Sequence, residues 1–179
     1  MTKNETKNPS AKTRLFIYDG RKSKQTSFPD FFEIKSVDVI GKVADEIFIF
    51  AKNETDEEFL FIGSSHDYKF TRVENILGVH SKIVSSEIQI FNEWPGLIIA
   101  NTITMDDKKE IKDTLISFDS TNSWSSIQVS AHQNEECVKV SLLNIQPNCR
   151  LVLRISMDEN LGLRSVKKAP FILYGYGNI

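Results

Sequence analysis

Short apolar and aromatic runs, each ended by a polar turn, recur along nearly the whole chain. Leu15-Phe16-Ile17-Tyr18 stops at Asp19-Gly20, a strong turn dipeptide. Residues 31–39 alternate loosely. Glu46-Ile47-Phe48-Ile49-Phe50 predicts a strand, residues 53–57 a polar turn, and Phe59-Leu60-Phe61-Ile62 the returning strand of a hairpin. Further strands are expected at 87–91, 97–103, 114–118, 126–130, 138–143, 150–156 and 171–174. β-branched and aromatic residues concentrate in these runs, while Asn, Asp, Ser and Gly fill the gaps. Residues 71–77 are the one stretch with helical character, and it is short. The pattern is all-β.

A weak repeat overlies the strands. Leu15-Phe16-Ile17, Leu60-Phe61-Ile62 and Leu115-Ile116-Ser117 begin similar units, about 45 and then 55 residues apart. Each runs into a polar turn and then an aromatic: Phe28, Phe70 and Trp124. A period of roughly 40–50 residues with several strands per period fits propeller blades or another array. A β-sandwich whose strand–turn pairs merely look alike fits the same pattern.

The chain is long enough, at 179 residues, for one domain with a real core. With 12 Phe, 4 Tyr and 2 Trp to bury, it is not composed like a disordered chain. A net charge of −2 without a strongly one-signed segment excludes the usual footprint of nucleic-acid binding. Arg21-Lys22-Ser23-Lys24 is too short a basic cluster to change that, and Asp106 to Glu110 reads as a solvated hairpin tip. Residues 1–14 are polar and read as a flexible leader with no apolar signal-peptide core. No run reaches the roughly 18 apolar residues of a spanning helix. His66, His80 and His132 are scattered and define no zinc site, and no cofactor motif is present.

The sharpest local signal is Ser117-Phe118-Asp119-Ser120-Thr121-Asn122-Ser123-Trp124. It resembles the Asp-box of β-propellers, Ser-x-Asp-x-Gly-x-Thr-Trp, in the hairpin between the outer strands of a blade. Ser117, Asp119 and Trp124 fit, Ser123 replaces Thr, and Thr121 stands where the pattern has Gly, so the box is degenerate. Such a box is structural: the carboxylate accepts turn N–H groups and the Trp packs on the hairpin base. Asp-box propellers include glycosidases, whose sites need clustered arginines and paired acidic or Tyr–Glu groups. Arg14, Arg21, Arg72, Arg150, Arg154 and Arg164 form no such motif, and no Gly-x-Ser-x-Gly elbow is present. The expectation is a protein that is not an enzyme.

Around the box the order of segments is similar to the luminal domain of the sortilin family, the vacuolar protein sorting receptors. Trp94-Pro95-Gly96-Leu97-Ile98-Ile99-Ala100-Asn101 and Lys112-Asp113-Thr114-Leu115-Ile116-Ser117-Phe118-Asp119 precede Trp124. Cys137-Val138-Lys139-Val140-Ser141-Leu142-Leu143 then keeps the family's Cys and alternation but not its two His. Leu60 to Thr71, Leu15 to Pro29 and Ala169 to Asn178 match further segments in the same order.

The resemblance implies part of a ten-bladed propeller. Residues 15–179 would then form about three antiparallel blades, leaving open sheet edges, and would be a receptor fragment or a reduced relative. It implies a non-enzymatic module that captures protein or peptide cargo in the lumen for Golgi-to-endosome or vacuole transport, with membrane attachment only through an anchor outside this sequence. The family pairs a basic residue with a peptide carboxylate, but residues 125–137 hold no Lys or Arg, so no ligand-contacting residue carries over. In an oxidising lumen Cys137 and Cys149 could close a loop worth about 2–4 kcal/mol. However, the family's second Cys precedes the strand that Cys149 follows, so two reduced thiols remain the alternative. Asn4-Glu5-Thr6 and Asn53-Glu54-Thr55 are N-glycosylation sequons, Asn53 being the better placed, in an expected exposed turn. The competing expectation is a small cytoplasmic β-structured scaffold with no trafficking role.

Overall fold

The computed structural model describes residues 13–18, 20–74, 76, 81–106, 109–127, 150–156, 162–166 and 172–178. They form antiparallel sheets, with no helix among them. The chain divides into two compact units, Met1–Arg72 and Val73–Ile179.

In the first unit, β1 (Phe16–Tyr18) and β2 (Ser23–Gln25) form a hairpin with Phe16 opposite Gln25 and Tyr18 opposite Ser23. Gly20, at φ +90°, occupies its turn in the left-handed region that glycine adopts without strain. There follow β3 (Ile34–Val43), β4 (Glu46–Asn53), β5 (Glu58–Ser64) and β6 (Phe70–Arg72), an antiparallel meander in the order β3-β4-β5-β6. The continuous apolar run in β4 reads as a strand covered on both sides. Ile47, Ile49 and Ala51 bury one face, while Phe48 and Phe50 are buried on the other. Ile47, Ile49, Ala51, Phe61, Tyr68 and Phe70 form a core, on which Leu15, Ile17, Phe28 and Phe32 pack.

Aromatic contacts join the β1–β2 segment to that core. The Phe28 ring stacks on Phe70 at 5.0 Å and meets Phe61 edge-on at 5.2 Å, and Phe32 meets Phe61 at 4.8 Å. Each such pair adds about 0.5–1.5 kcal/mol beyond its buried area. Backbone bonds fix the same approach: the Ser27 N–H donates to Tyr68 O and the Phe70 N–H to Ser27 O.

The second unit repeats the meander. β7 (Ser81–Ile90), β8 (Ile98–Asp106), β9 (Lys109–Ser117) and β10 (Ser125–Ser126) pair in the order β7-β8-β9-β10. Ile98, Ile99 and Ala100 of β8 are all buried, so this central strand too is covered on both faces. Two small ladders follow. β11 (Val152–Leu153) pairs with β14 (Gly177–Asn178), and β12 (Arg164–Ser165) pairs with β13 (Leu173–Tyr174). Ile155 and Leu163 from this region complete a core with Phe91, Leu97 and Ile99. Among the described residues no sheet closes on itself.

The all-β expectation is met, and residues 71–72 end β6 rather than starting a helix. Residues 31–33 precede β3 instead of opening it, because the Phe32 N–H donates to Pro29 O and turns the chain there. The repeat has a structural counterpart. Leu60-Phe61-Ile62 lies in β5 and Leu115-Ile116-Ser117 in β9, each the third strand of its meander. The first repeat, Leu15-Phe16-Ile17, instead runs into β1 of a two-stranded hairpin, so the described residues hold two four-stranded meanders where about three blades are expected.

Candidate functional site

The box-like segment forms the tight turn from β9 to β10. Asp119 is its centre: its carboxylate accepts from the Ser123 N–H at 2.8 Å, the Ser123 hydroxyl at 2.6 Å and the Ser117 hydroxyl at 2.9 Å. The Ser117 oxygen in turn accepts from the Thr121 N–H at 3.0 Å. The bonds from Ser123, followed by that from Ser117, hold the Asp119 carboxyl below the ordinary aspartate value although burial pushes the other way. Trp124 closes the turn and is buried, its indole Nε1 without a hydrogen-bond partner among the described residues.

Two residues carry left-handed backbone in this turn, Ser120 at φ +55° and Thr121 at +80°. Thr121 is the position where the pattern has glycine, and a β-branched residue there is strained. The strain is held by contacts on both sides. Besides the Ser117 bond, the Ser120 N–H donates to Gly96 O at 3.1 Å. Gly96 lies so close that a Cβ would come within 2.8 Å of Phe118 O, and its own φ is +93°. The Trp94-Pro95-Gly96 turn thus cradles the box.

A second polar constellation sits on the same meander. Ile83 pairs with Thr102 and Ile88 with Ala100, so residues 84–87 of β7 bulge opposite Asn101 alone. The bulge presents Glu87, which accepts from Asn101 Nδ2 at 2.5 Å and Lys112 Nζ at 2.6 Å. Burial raises the Glu87 pKa, but the bonds from Lys112 and Asn101 and the lysine charge outweigh it and hold the carboxyl below its ordinary value. Asn101 and Thr114 are almost completely buried. The Thr114 hydroxyl donates to Asn101 Oδ1 at 2.5 Å and accepts from the Leu153 N–H at 2.8 Å, while Asn101 Nδ2 donates to Leu153 O at 2.8 Å. Two side chains therefore satisfy both backbone groups of Leu153, as a neighbouring strand would. With the Thr114 N–H donating to Leu151 O, they clasp the C-terminal ladder to β9. Beside the clasp lies an open cleft of about 540 Å³ lined by Glu87, Lys112, Arg154, Ser156 and Tyr176 among others.

Ser117, Asp119 and Trp124 are thus brought together as the sequence predicts. Asn53 is the half-buried last residue of β4, and the exposed turn expected around it is formed by residues 54–57. Asn4, Cys137, Cys149, His80, His132 and the strand expected at 138–143 lie outside the described residues. His66 is exposed in the β5–β6 turn, 3.3 Å from an Asp45 carboxylate oxygen. Among the described residues no group of three His, Cys, Asp or Glu could hold a metal, and no helix is long and apolar enough to cross a membrane. The clasp escaped sequence reading because Asn101 sits inside an apolar strand run and Thr114 stands at the edge of one, just after Lys112-Asp113. The available signal was two polar residues, one on each of two successive strands, at positions that alternation places inside.

No known protein-family model matches the chain, and a search of curated proteins returns no match.

Proposed function

We propose that the two meanders are blades of an incomplete β-propeller and that the chain is a non-enzymatic binding module. It resembles part of a sorting-receptor luminal domain and captures protein or peptide cargo for transport from Golgi to endosome or vacuole. The observation that carries the reading is the placement of the box. The Ser117–Asp119–Ser123 hydrogen-bonded turn, closed by Trp124, joins the third and fourth strands of a four-stranded antiparallel meander, the position that an Asp-box occupies in a propeller blade. The equivalent placement of the repeated segment in β5 supports it. The turn's polar groups bond to one another, which suits a scaffold element rather than a reacting centre.

The test is equilibrium binding of fluorescently labelled, unfolded peptides of varied sequence to the full chain, with folded globular proteins as the control. Saturable binding of a subset of the peptides, and none of the folded controls, is expected. A β-rich, monodisperse chain that binds no peptide would refute the reading and favour the scaffold alternative.

A further inference from the structure

The β4–β5 turn carries a motif that cargo binding leaves unused. Asn53 ends β4, and residues 54–57 after it are exposed. The Asn53 side-chain oxygen accepts from the Thr55 N–H at 3.0 Å, the Thr55 hydroxyl at 2.7 Å and the Glu57 N–H at 2.9 Å. Its Nδ2 donates one hydrogen to Glu57 Oε2 at 2.8 Å. The other hydrogen has no partner among the described residues. Backbone bonds from Asn53 N–H to Glu57 O and from Asp56 N–H to Asn53 O close the turn, and Lys35 grips the Asp56 carboxylate from β3 at 2.7 Å.

We propose that Asn53 is an N-glycosylation site whose glycan projects from this turn without disturbing the sheet. The two residues that define the sequon, Asn53 and Thr55, meet in space through the hydroxyl-to-amide contact, and the turn presents them at the end of a hairpin. In the transfer, Nδ2 attacks the anomeric carbon of an oligosaccharide carried on a lipid diphosphate. The new Nδ2–C1 bond replaces the C1–O bond to phosphate, the lipid diphosphate leaves, and one Nδ2 proton passes to solvent. The product keeps one Nδ2 hydrogen, enough for the Glu57 bond, and all three bonds to the side-chain oxygen. The inference rests on the luminal reading for its compartment.

The test is translation of the full chain behind a cleavable signal peptide in the presence of microsomes, scoring only product whose signal has been cleaved. A mobility step reversed by peptide-N-glycosidase is expected, with Asn53 converted to Asp in the released peptide by mass spectrometry. Asn53→Gln and Thr55→Ala should abolish that modification, while Thr55→Ser should retain it and Asn4→Gln leave it intact. Signal-cleaved chain unmodified at Asn53, or a glycan that survives Asn53→Gln and disappears with Asn4→Gln, would overturn the proposal. Peptide binding is measured on chain made without glycosylation, so failure of one does not entail failure of the other.

Discussion

Thr114→Val isolates the clasp, because valine keeps the shape of threonine and removes only the hydroxyl. That hydroxyl makes two bonds, to Asn101 Oδ1 at 2.5 Å and from the Leu153 N–H at 2.8 Å, at a residue with no exposed surface. The substitution strands an acceptor and a donor, each costing about 1–3 kcal/mol where water cannot reach. The new methyl returns about 0.8 kcal/mol, so the net loss is roughly 1–5 kcal/mol, and at about 2–4 °C per kcal/mol for a chain of this size the midpoint falls by roughly 2–20 °C. Thr102→Val is the control. Thr102 is equally buried, but its hydroxyl lies 3.4 Å from Asp113 O, a poor bond whose loss should stay within about 1 kcal/mol. Urea titration of both variants gives the difference, and amide exchange at Leu153 shows whether the C-terminal ladder has been freed. Equal midpoints for the two variants, or unchanged protection at Leu153, would refute the clasp.

Three further outcomes follow from the packing and the turn. Trp124→Ala should cost about 3–5 kcal/mol, the usual range for emptying a buried aromatic site, read by chemical denaturation. Gly63→Ala places a Cβ 2.6 Å from the Phe70 ring, itself stacked on Phe28, so it should destabilise by about 1–3 kcal/mol and alter near-ultraviolet circular dichroism. Asp119 is held below its ordinary pKa, so its contribution is complete above about pH 4, the unfolded value, and is lost as pH falls through the lower folded value. Asp119→Asn should therefore be less stable than the parent near neutrality and show a shallower decline below pH 4, measured by denaturant midpoints across pH.

Legibility of the fold followed chain-local physics. Runs such as Ile47 to Phe50 and Leu97 to Ala100 announced their strands because both faces are covered and every position is apolar. β2, with Ser23-Lys24-Gln25 wholly exposed, offered no such signal, since its pairing with β1 is imposed by the turn at Gly20. The first half of β7 was missed because the four-residue bulge before Ile88 breaks the alternation. The box was legible in Ser117, Asp119 and Trp124, and the side-chain bonds of Ser117 and Asp119 within it run over four residues or fewer. Part of what holds Thr121 where the pattern has glycine is local, the Ser117 oxygen, and part lies more than 20 residues away, in the Gly96 carbonyl that holds Ser120. The clasp depends on Leu153, 39 residues beyond Thr114, and no local pattern encodes that meeting.

The central claim, two four-stranded meanders with a box turn closing the second, is tested most directly by residue-resolved amide hydrogen exchange on the native chain. The slowest exchange is expected along β4, β5, β8 and β9, with protected Thr121 and Ser123 amides in the turn and faster exchange on the edge strands β3 and β7. Exchange in the Thr121–Ser123 turn as fast as in an unstructured peptide, or central strands no slower than the edges, would contradict it.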